Sequence, residues 1–272
     1  KIGAVCRFVY DRHMPADFLN YLIDAFGINP DELVPGDKHL NLEDLAHLPN
    51  PNPDLKRGEP MPPMTLNYLN KKQSILKYVA KRDLLLHYPY HSFDHCIHFL
   101  YEAVHNPAVK EIMITQYRVA PHSEVINTLI AAAQNGKKVT VFVELKARFD
   151  EENNLATAEL MQKAGIHIIY SIPGLKVHAK VALVLCREKD GKAKTSYAYI
   201  STGNFNEKTA TVYSDSALFT SNPEIVDDLH QLFRVLGREL EAPSFKHLLV
   251  PRFNLVPQLL GLLEYEKQEA LA

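Results

Sequence analysis

The chain has 272 residues, 46% hydrophobic and 23% charged, which is enough apolar sequence for one large or two modest cored domains and too much for a disordered chain. Its formal net charge of -2 gives no global attraction to nucleic acid or an anionic membrane, so an anion-binding surface would have to be a local concentration of cations. Cys6, Cys96 and Cys186 form no C-x-x-C pair, which fits a reducing compartment and argues against a disulfide framework or a cysteine zinc site. No apolar run reaches the ~20 residues of a membrane span, and the N-terminus lacks signal-peptide architecture. A soluble, cytoplasmic protein without a transmembrane segment is expected, with membrane association left open. Because the chain opens on Lys1 and enters apolar sequence almost at once, it reads as a piece of something longer.

In chain order, a short strand is expected at Val5 to Tyr10 and a helix from Ala16 to Phe26. The stretch "PNPNPDLKRGEPMPP" (49–63) is hostile to helix and central strand alike, and a domain boundary is placed there. Regular patterning begins at residue 92: helix 92–105, strand 109–117, helix 122–135, strand 137–145, helix 151–164 and strand 166–171. The strand centres Ile112, Thr140 and Ile168 are 28 residues apart, the period of a βα unit, and such units build a parallel sheet. "VHAKVALVLC" and "SYAYIST", separated by "REKDGKAKT", read instead as an antiparallel hairpin. A further strand at 212–220 precedes a helix at 223–240, which opens with Ser221-Asn222-Pro223. The fold class is therefore α/β, with a mixed sheet flanked by helices.

Ligands of open α/β sheets sit beyond the carboxyl ends of the strands. There the sequence places Arg118, then Lys146 and Arg148, then Gly203 and Asn204. The stretch "GLKVHAKVALV" (174–184) adds Lys176, His178 and Lys180, which alternate and so project from one face of an extended segment. A cationic rim suits phosphoryl transfer, in which negative charge spreads over equatorial oxygens. A neutral imidazole could attack phosphorus and hold the group covalently, Lys180 could neutralise it, and Asn204 could donate a hydrogen bond. Taken singly, a strand histidine is more often a packing residue and a lysine at a strand end more often a solvated one. The conjunction of H-x-K with a following glycine and asparagine loop favours the functional reading.

That conjunction resembles the H-K-D motif of the phospholipase D superfamily, although the aspartate due five residues after the lysine falls on Leu185. Polyphosphate kinases share that fold without the aspartate. "DLLLHYPYHSFDH" (83–95), "YRVAPHSEVINTLIAAAQNGKKVTVFVELKARFDEENN" (117–154), "GLKVHAKVALV" and "STGNFNEKTATVYSD" (201–215) resemble that family, as does "FVYDRHMP" (8–15). The resemblance implies a phospholipase-D-like sheet, a phosphohistidine at His178, and Arg118 and Arg148 at the magnesium and phosphate site. Arginine has no lone pair for a metal, so these two are read as holding phosphate oxygens that Mg2+ also touches. It implies a nucleotide contact at Tyr213, whose competing reading is a packed strand tyrosine, and leaves Lys176 and Lys146 as possible phosphate ligands.

The implied activity is that of an ATP:polyphosphate phosphotransferase, with ATP as substrate, ATP/ADP and polyphosphate as partners, Mg2+ as cofactor, an oligomeric full-length enzyme and no nucleic acid. The implied domains are the end of a head domain (1–62), a first phospholipase-D-like catalytic domain (63–248), and the start of a following domain or a linker helix (249–272). A chain of that extent would lack the family's second histidine motif and be inactive alone. Two other readings stand beside this one: a homodimeric phospholipase-D-type nuclease or phosphodiesterase, and a non-catalytic polyanion-binding module. His87, His91, His95 and His98 admit a zinc site, against which the resemblance reads their segment as the entry to the catalytic domain. Glu144 or Asp150 could orient an arginine or magnesium.

Overall fold

The computed structural model describes residues 6–38, 49, 52, 54, 61–69, 73–118, 120, 123–145, 151–171, 174–187 and 195–271. The chain divides into two compact units, Lys1–Pro60 and Met61–Ala272. In the first, β1 (Phe8–Asp11) pairs in parallel with β2 (Leu33–Gly36), and α1 (Ala16–Phe26) lies between them in sequence. α1 ends at Gly27, whose N–H bonds to the Ile23 carbonyl and whose φ of 61° turns the Ile28 N–H back onto the same carbonyl at 3.0 Å, a conformation glycine adopts without steric cost.

The second unit opens with the short α2 (Ile75–Val79) and β3 (Leu84–Tyr88), followed by α3 (Asp94–His105). The repeating part is then β4 (Val109–Gln116), α4 (Glu124–Gln134), β5 (Lys138–Val143), α5 (Glu151–Lys163) and β6 (His167–Tyr170). β7 (Lys180–Cys186), β8 (Tyr197–Ser201) and β9 (Asp215–Thr220) lead into α6 (Pro223–Leu236) and α7 (Leu255–Leu271). One seven-stranded sheet results, in the order β3-β9-β8-β7-β4-β5-β6. β4, β5 and β6 are parallel, and every other pairing is antiparallel. The expected mixed sheet with flanking helices is therefore present.

Every residue of β7 is buried, because apolar layers cover both faces of the sheet. Ala182, Val184 and Cys186 join Leu100, Val125, Leu129 and Met161 in one core. Val181, Leu183 and Leu185 join Met113, Phe142, Leu229 and Phe233 in the other, beneath α6. Leu185, the position at which the H-K-D pattern has its aspartate, thus lies among apolar side chains on the face opposite Lys180.

Some boundaries differ from those expected. Residues 63–91 carry α2 and β3, for which no element was expected. β7 begins at Lys180, not Val177, and β9 at Asp215, not Val212. α6 stops at Leu236, where Gly237 follows. Of the expected hairpin connection, 187–195, residues 188–194 lie outside the described residues, and β7 and β8 pair antiparallel as expected. No helix among the described residues is long and apolar enough to cross a membrane.

Fully buried Asp228 on α6 holds the segment that follows the helix. Its carboxylate accepts the N–H groups of Lys246, His247 and Leu248 at 2.7–3.0 Å. Hydrogen bonds to a charged acceptor contribute ~1.5–3 kcal/mol each, but a freed segment regains solvent for its N–H groups, so Asp228→Ala should lower stability by about 2–3 kcal/mol. Urea unfolding would read that loss, with amide exchange at 246–248 accelerated well beyond any change within α6. Unchanged exchange there would show that the segment is held by other contacts.

Candidate functional site

The strand ends assemble the site. At one end of the sheet lie the last residues of β4, β5 and β8 and the first residues of β7 and β9, with Lys180 paired to Ser201 and Ser201 paired to Ala217. Residues 174–179 run extended into β7, and their exposure alternates: Lys176 and His178 are exposed, whereas Val177 and Ala179 pack partly against the core under α6. The shared face expected for Lys176, His178 and Lys180 is present, with one difference in depth. Lys180 is only 4% exposed, so a buried ammonium underlies an exposed imidazole.

The Lys180 Nζ lies 2.7 Å from the His178 carbonyl oxygen and 3.0 Å from each ring nitrogen of His178. A point equidistant from Nδ1 and Nε2 is off both lone-pair axes. The ammonium therefore acts on the ring as a nearby charge and leaves the in-plane lone pair of a neutral imidazole accessible. Tyr117, at the end of β4, completes the cluster. Its ring meets His178 edge-on at 5.0 Å between centroids, with Lys176 Nζ 5.6 Å and Lys180 Nζ 5.2 Å from its centroid. Aromatic faces attract cations through their quadrupole, so one tyrosine holds both lysines beside the histidine.

Electrostatics follow from this packing. Partial burial of the ring, then the charges of Lys180, Lys176 and Arg118, hold the His178 pKa below its ordinary value. Both causes favour the neutral ring that a nucleophile needs. Burial lowers Lys180 to about 8, against the opposing pull of Asp215. The Asp215 carboxylate accepts the Thr202 hydroxyl at 2.7 Å and fills the space beside Gly203, where an added Cβ would come within 2.5–2.8 Å of it. Gly203 is thus the residue that lets the β8 loop pass over Asp215.

The other expected residues distribute as follows. Arg118, just beyond β4, is close enough to depress both His178 and Lys180. Asn204 follows on the β8 loop, and its Oδ1 is shielded from solvent with no hydrogen-bond partner, whereas Asn206 spends its side chain accepting the Lys208 and Thr209 N–H groups. Tyr213 precedes β9 and is 62% exposed, so it is not a packed strand residue. Lys146, Arg148 and Asp150 lie outside the described residues. The four histidines serve separate partners: His87 meets Ser216, His91 the His87 backbone, His95 the Leu66 N–H and His98 Glu102. No group of three or more potential metal ligands occurs among the described residues. Sequence reasoning passed over Tyr117, Asp215 and Thr115. Tyr117 was signalled by its place beside Arg118 at a strand end, and Asp215 by its position at the end of the quoted 201–215 motif.

A family model for polyphosphate kinase C-terminal domain 1 matches residues 74–242. The chain belongs to that family. It is 40% identical to a polyphosphate kinase of Vibrio vulnificus (strain CMCP6) over 267 residues, covering 98% of this chain and 38% of the relative. The polyphosphate kinase of Escherichia coli (strain K12) is 40% identical over 251 residues, 91% of this chain and 36% of the relative. The crystal structure of polyphosphate kinase from Porphyromonas gingivalis superposes with a TM-score of 0.82 at 45% identity, covering 97% of this chain and 40% of that one. The chain thus spans less than two fifths of the curated relatives cited. The match to the polyphosphate kinase domain encloses Arg118, His178, Lys180, Asn204, Tyr213 and Asp215.

The depressed pKa of His178 yields a direct test. Removing a neighbouring positive charge favours the imidazolium, so Lys180→Gln should raise the His178 pKa towards its ordinary value, whereas Lys180→Arg should keep it depressed. An NMR titration of the His178 ring protons reads both. Equal midpoints for wild type and Lys180→Gln would mean that Lys180 does not act on the ring.

Proposed function

We propose that the protein is a polyphosphate kinase that reversibly transfers the terminal phosphate of ATP to polyphosphate through a phosphohistidine at His178. The observation that carries this reading is the exposed imidazole, favoured in its neutral form and set above a buried ammonium with Arg118 close by. In the first step a ring nitrogen attacks the γ-phosphorus, the bond to the bridging oxygen breaks, and ADP leaves with the electron pair. A terminal oxygen of polyphosphate then attacks the phosphohistidine and regenerates the ring. Lys180 and Arg118 offset the charge that develops on the equatorial oxygens, Asn204 adds a polar contact, and exposed Tyr213 offers a ring to the nucleotide. Lys176 lies where a longer phosphate chain would pass.

Lys180, Lys176 and Arg118, the charged side chains that act on His178, are cations and do not fit a resident Mg2+. Magnesium is therefore assigned to the nucleotide's phosphates, with Arg118, and Arg148 by the family likeness, holding phosphate oxygens. In the same proposal residues 1–62 end a head domain, 63–248 form the catalytic domain and 249–272 lead onward.

Incubation of the full-length enzyme with [γ-32P]ATP should label it with a base-stable, acid-labile phosphate, and His178→Ala or His178→Gln should abolish labelling together with polymer synthesis. Labelling that survives in these variants would reassign the nucleophile, and hydrolysis of a phosphodiester without ATP-dependent labelling would favour the nuclease reading. Arg118→Lys keeps the charge but loses the planar fork, and should slow turnover ~10²- to 10³-fold, the loss typical of one transition-state donor. Full activity in Arg118→Lys would show that bulk charge suffices.

A further inference from the structure

The antiparallel ladder between β4 and β7 ends where Ile114 faces Ala182, so His178 lies beyond strand pairing and its backbone must be held in some other way. Side chains do this from both directions. On one side Thr115, 2% exposed, donates its hydroxyl to the Ala179 carbonyl at 2.8 Å and accepts the Val181 N–H at 3.0 Å. On the other, Glu144, 1% exposed, accepts the Val177 N–H on Oε2 at 3.0 Å and the Ser171 hydroxyl on Oε1 at 2.9 Å.

Glu144 is itself firmly placed. Its N–H bonds to the Gln116 carbonyl at 2.9 Å, which continues the β4–β5 pairing, and the Asn154 amide donates to the carbonyls of Glu144 and Tyr117 at 3.1 and 2.9 Å. Ser171, its second partner, accepts the Leu145 N–H at 2.8 Å. One planar carboxylate thus links the ends of β5 and β6 to the residue before His178.

We propose that Glu144 is a positioning residue for His178: its carboxylate fixes the direction in which the 177–181 segment presents the imidazole, with Thr115 fixing the far side. This inference rests on the phosphohistidine reading. It gives Glu144 a partner that its sequence position did not suggest, the Val177 N–H. The mechanism is geometric, since a nucleophile must lie close to the phosphorus and in line with the leaving oxygen, and a displacement of ~1 Å costs about 10²-fold in rate.

Two conservative variants separate position from charge. Glu144→Gln keeps the reach: its Oε1 can accept the Val177 N–H while its Nε2 donates to Ser171, whose hydroxyl can turn to the Val143 carbonyl 3.4 Å away. Glu144→Asp keeps the charge but withdraws the carboxylate by one methylene. Phosphohistidine formation from [γ-32P]ATP should be followed in a single turnover of the full-length enzyme, where the rate constant reports the site and the amplitude absorbs any misfolded fraction.

We expect Glu144→Asp to slow that rate constant by about 10²-fold and Glu144→Gln to stay within ~10-fold of wild type, with the KM for ATP little changed in both. A Gln variant slower than the Asp variant would mean that charge is what matters, and a wild-type rate constant in the Asp variant would mean that the reach is irrelevant. Either result overturns the proposal. His178→Ala is the control: if it still forms phosphohistidine, the underlying functional reading fails whatever Glu144 does.

Discussion

A lysine ammonium almost wholly removed from solvent at the first residue of a central strand is the constraint around which the site is arranged. A charge in that position is unfavourable unless it is paired and hydrogen-bonded, and each neighbour of Lys180 answers part of that demand. The His178 carbonyl accepts from it at 2.7 Å, the Tyr117 ring lies 5.2 Å away, and the Asp215 carboxylate opposes its desolvation. Compensation is incomplete, because the pKa still falls to about 8. An incompletely compensated cation is suited to a site that receives an anion, since a bound anion would supply the charge that the protein withholds.

The same constraint accounts for glycine at 203. Asp215 approaches Lys180 from β9 by lying across the β8 loop, in the space that a side chain at 203 would need. The glycine is required by the carboxylate, and the carboxylate by the lysine. Glu207, from the same loop, accepts the Ser123 hydroxyl and the Val125 N–H at the start of α4, which ties this loop to the segment that follows Arg118. Residues that look like separate motifs in the sequence are parts of one charge-balancing arrangement.

That distinction also explains which features were legible in advance. β4, β5 and β6 and their helices follow from local periodicity, Arg118 and Asn204 from counting past strand ends, and His178 from its alternation with Lys176 and Lys180. β3 was missed because it is a five-residue edge strand whose alternation, with Leu84, Leu86 and Tyr88 buried, is blurred by an apolar residue, Leu85, on the exposed face and followed at once by proline. The start of β7 was misplaced because 177–179 keep the alternation of a strand but have no ladder partner. Depth is equally invisible in sequence: Lys176 and Lys180 read alike, yet one is solvated and the other buried, since only Lys180 lies within the sheet, paired to Ser201 of β8. Asp215 and Glu144 act through residues distant in sequence, and no local pattern carries that.

Placing His178 just outside the ladder reconciles two opposed requirements on the nucleophile proposed there. Within a sheet covered on both faces, a histidine at an even-numbered position of β7 would be packed beside Ala182 and Val184, rigid but closed to a polymer. Far out on a loop it would be open but poorly aimed. At 178 the ring lies beyond the apolar layers and remains exposed, while Glu144 and Thr115 supply by side chain the backbone bonds that β-pairing no longer provides. Leu185 marks the other end of the same logic. An aspartate there would lie on the α6 face among Met113, Phe142 and Phe233, away from the cations at the mouth of the strand, and its carboxylate would meet an apolar layer instead of the site. Leucine at that position completes the core under α6 and takes nothing from the chemistry at the opposite end of β7.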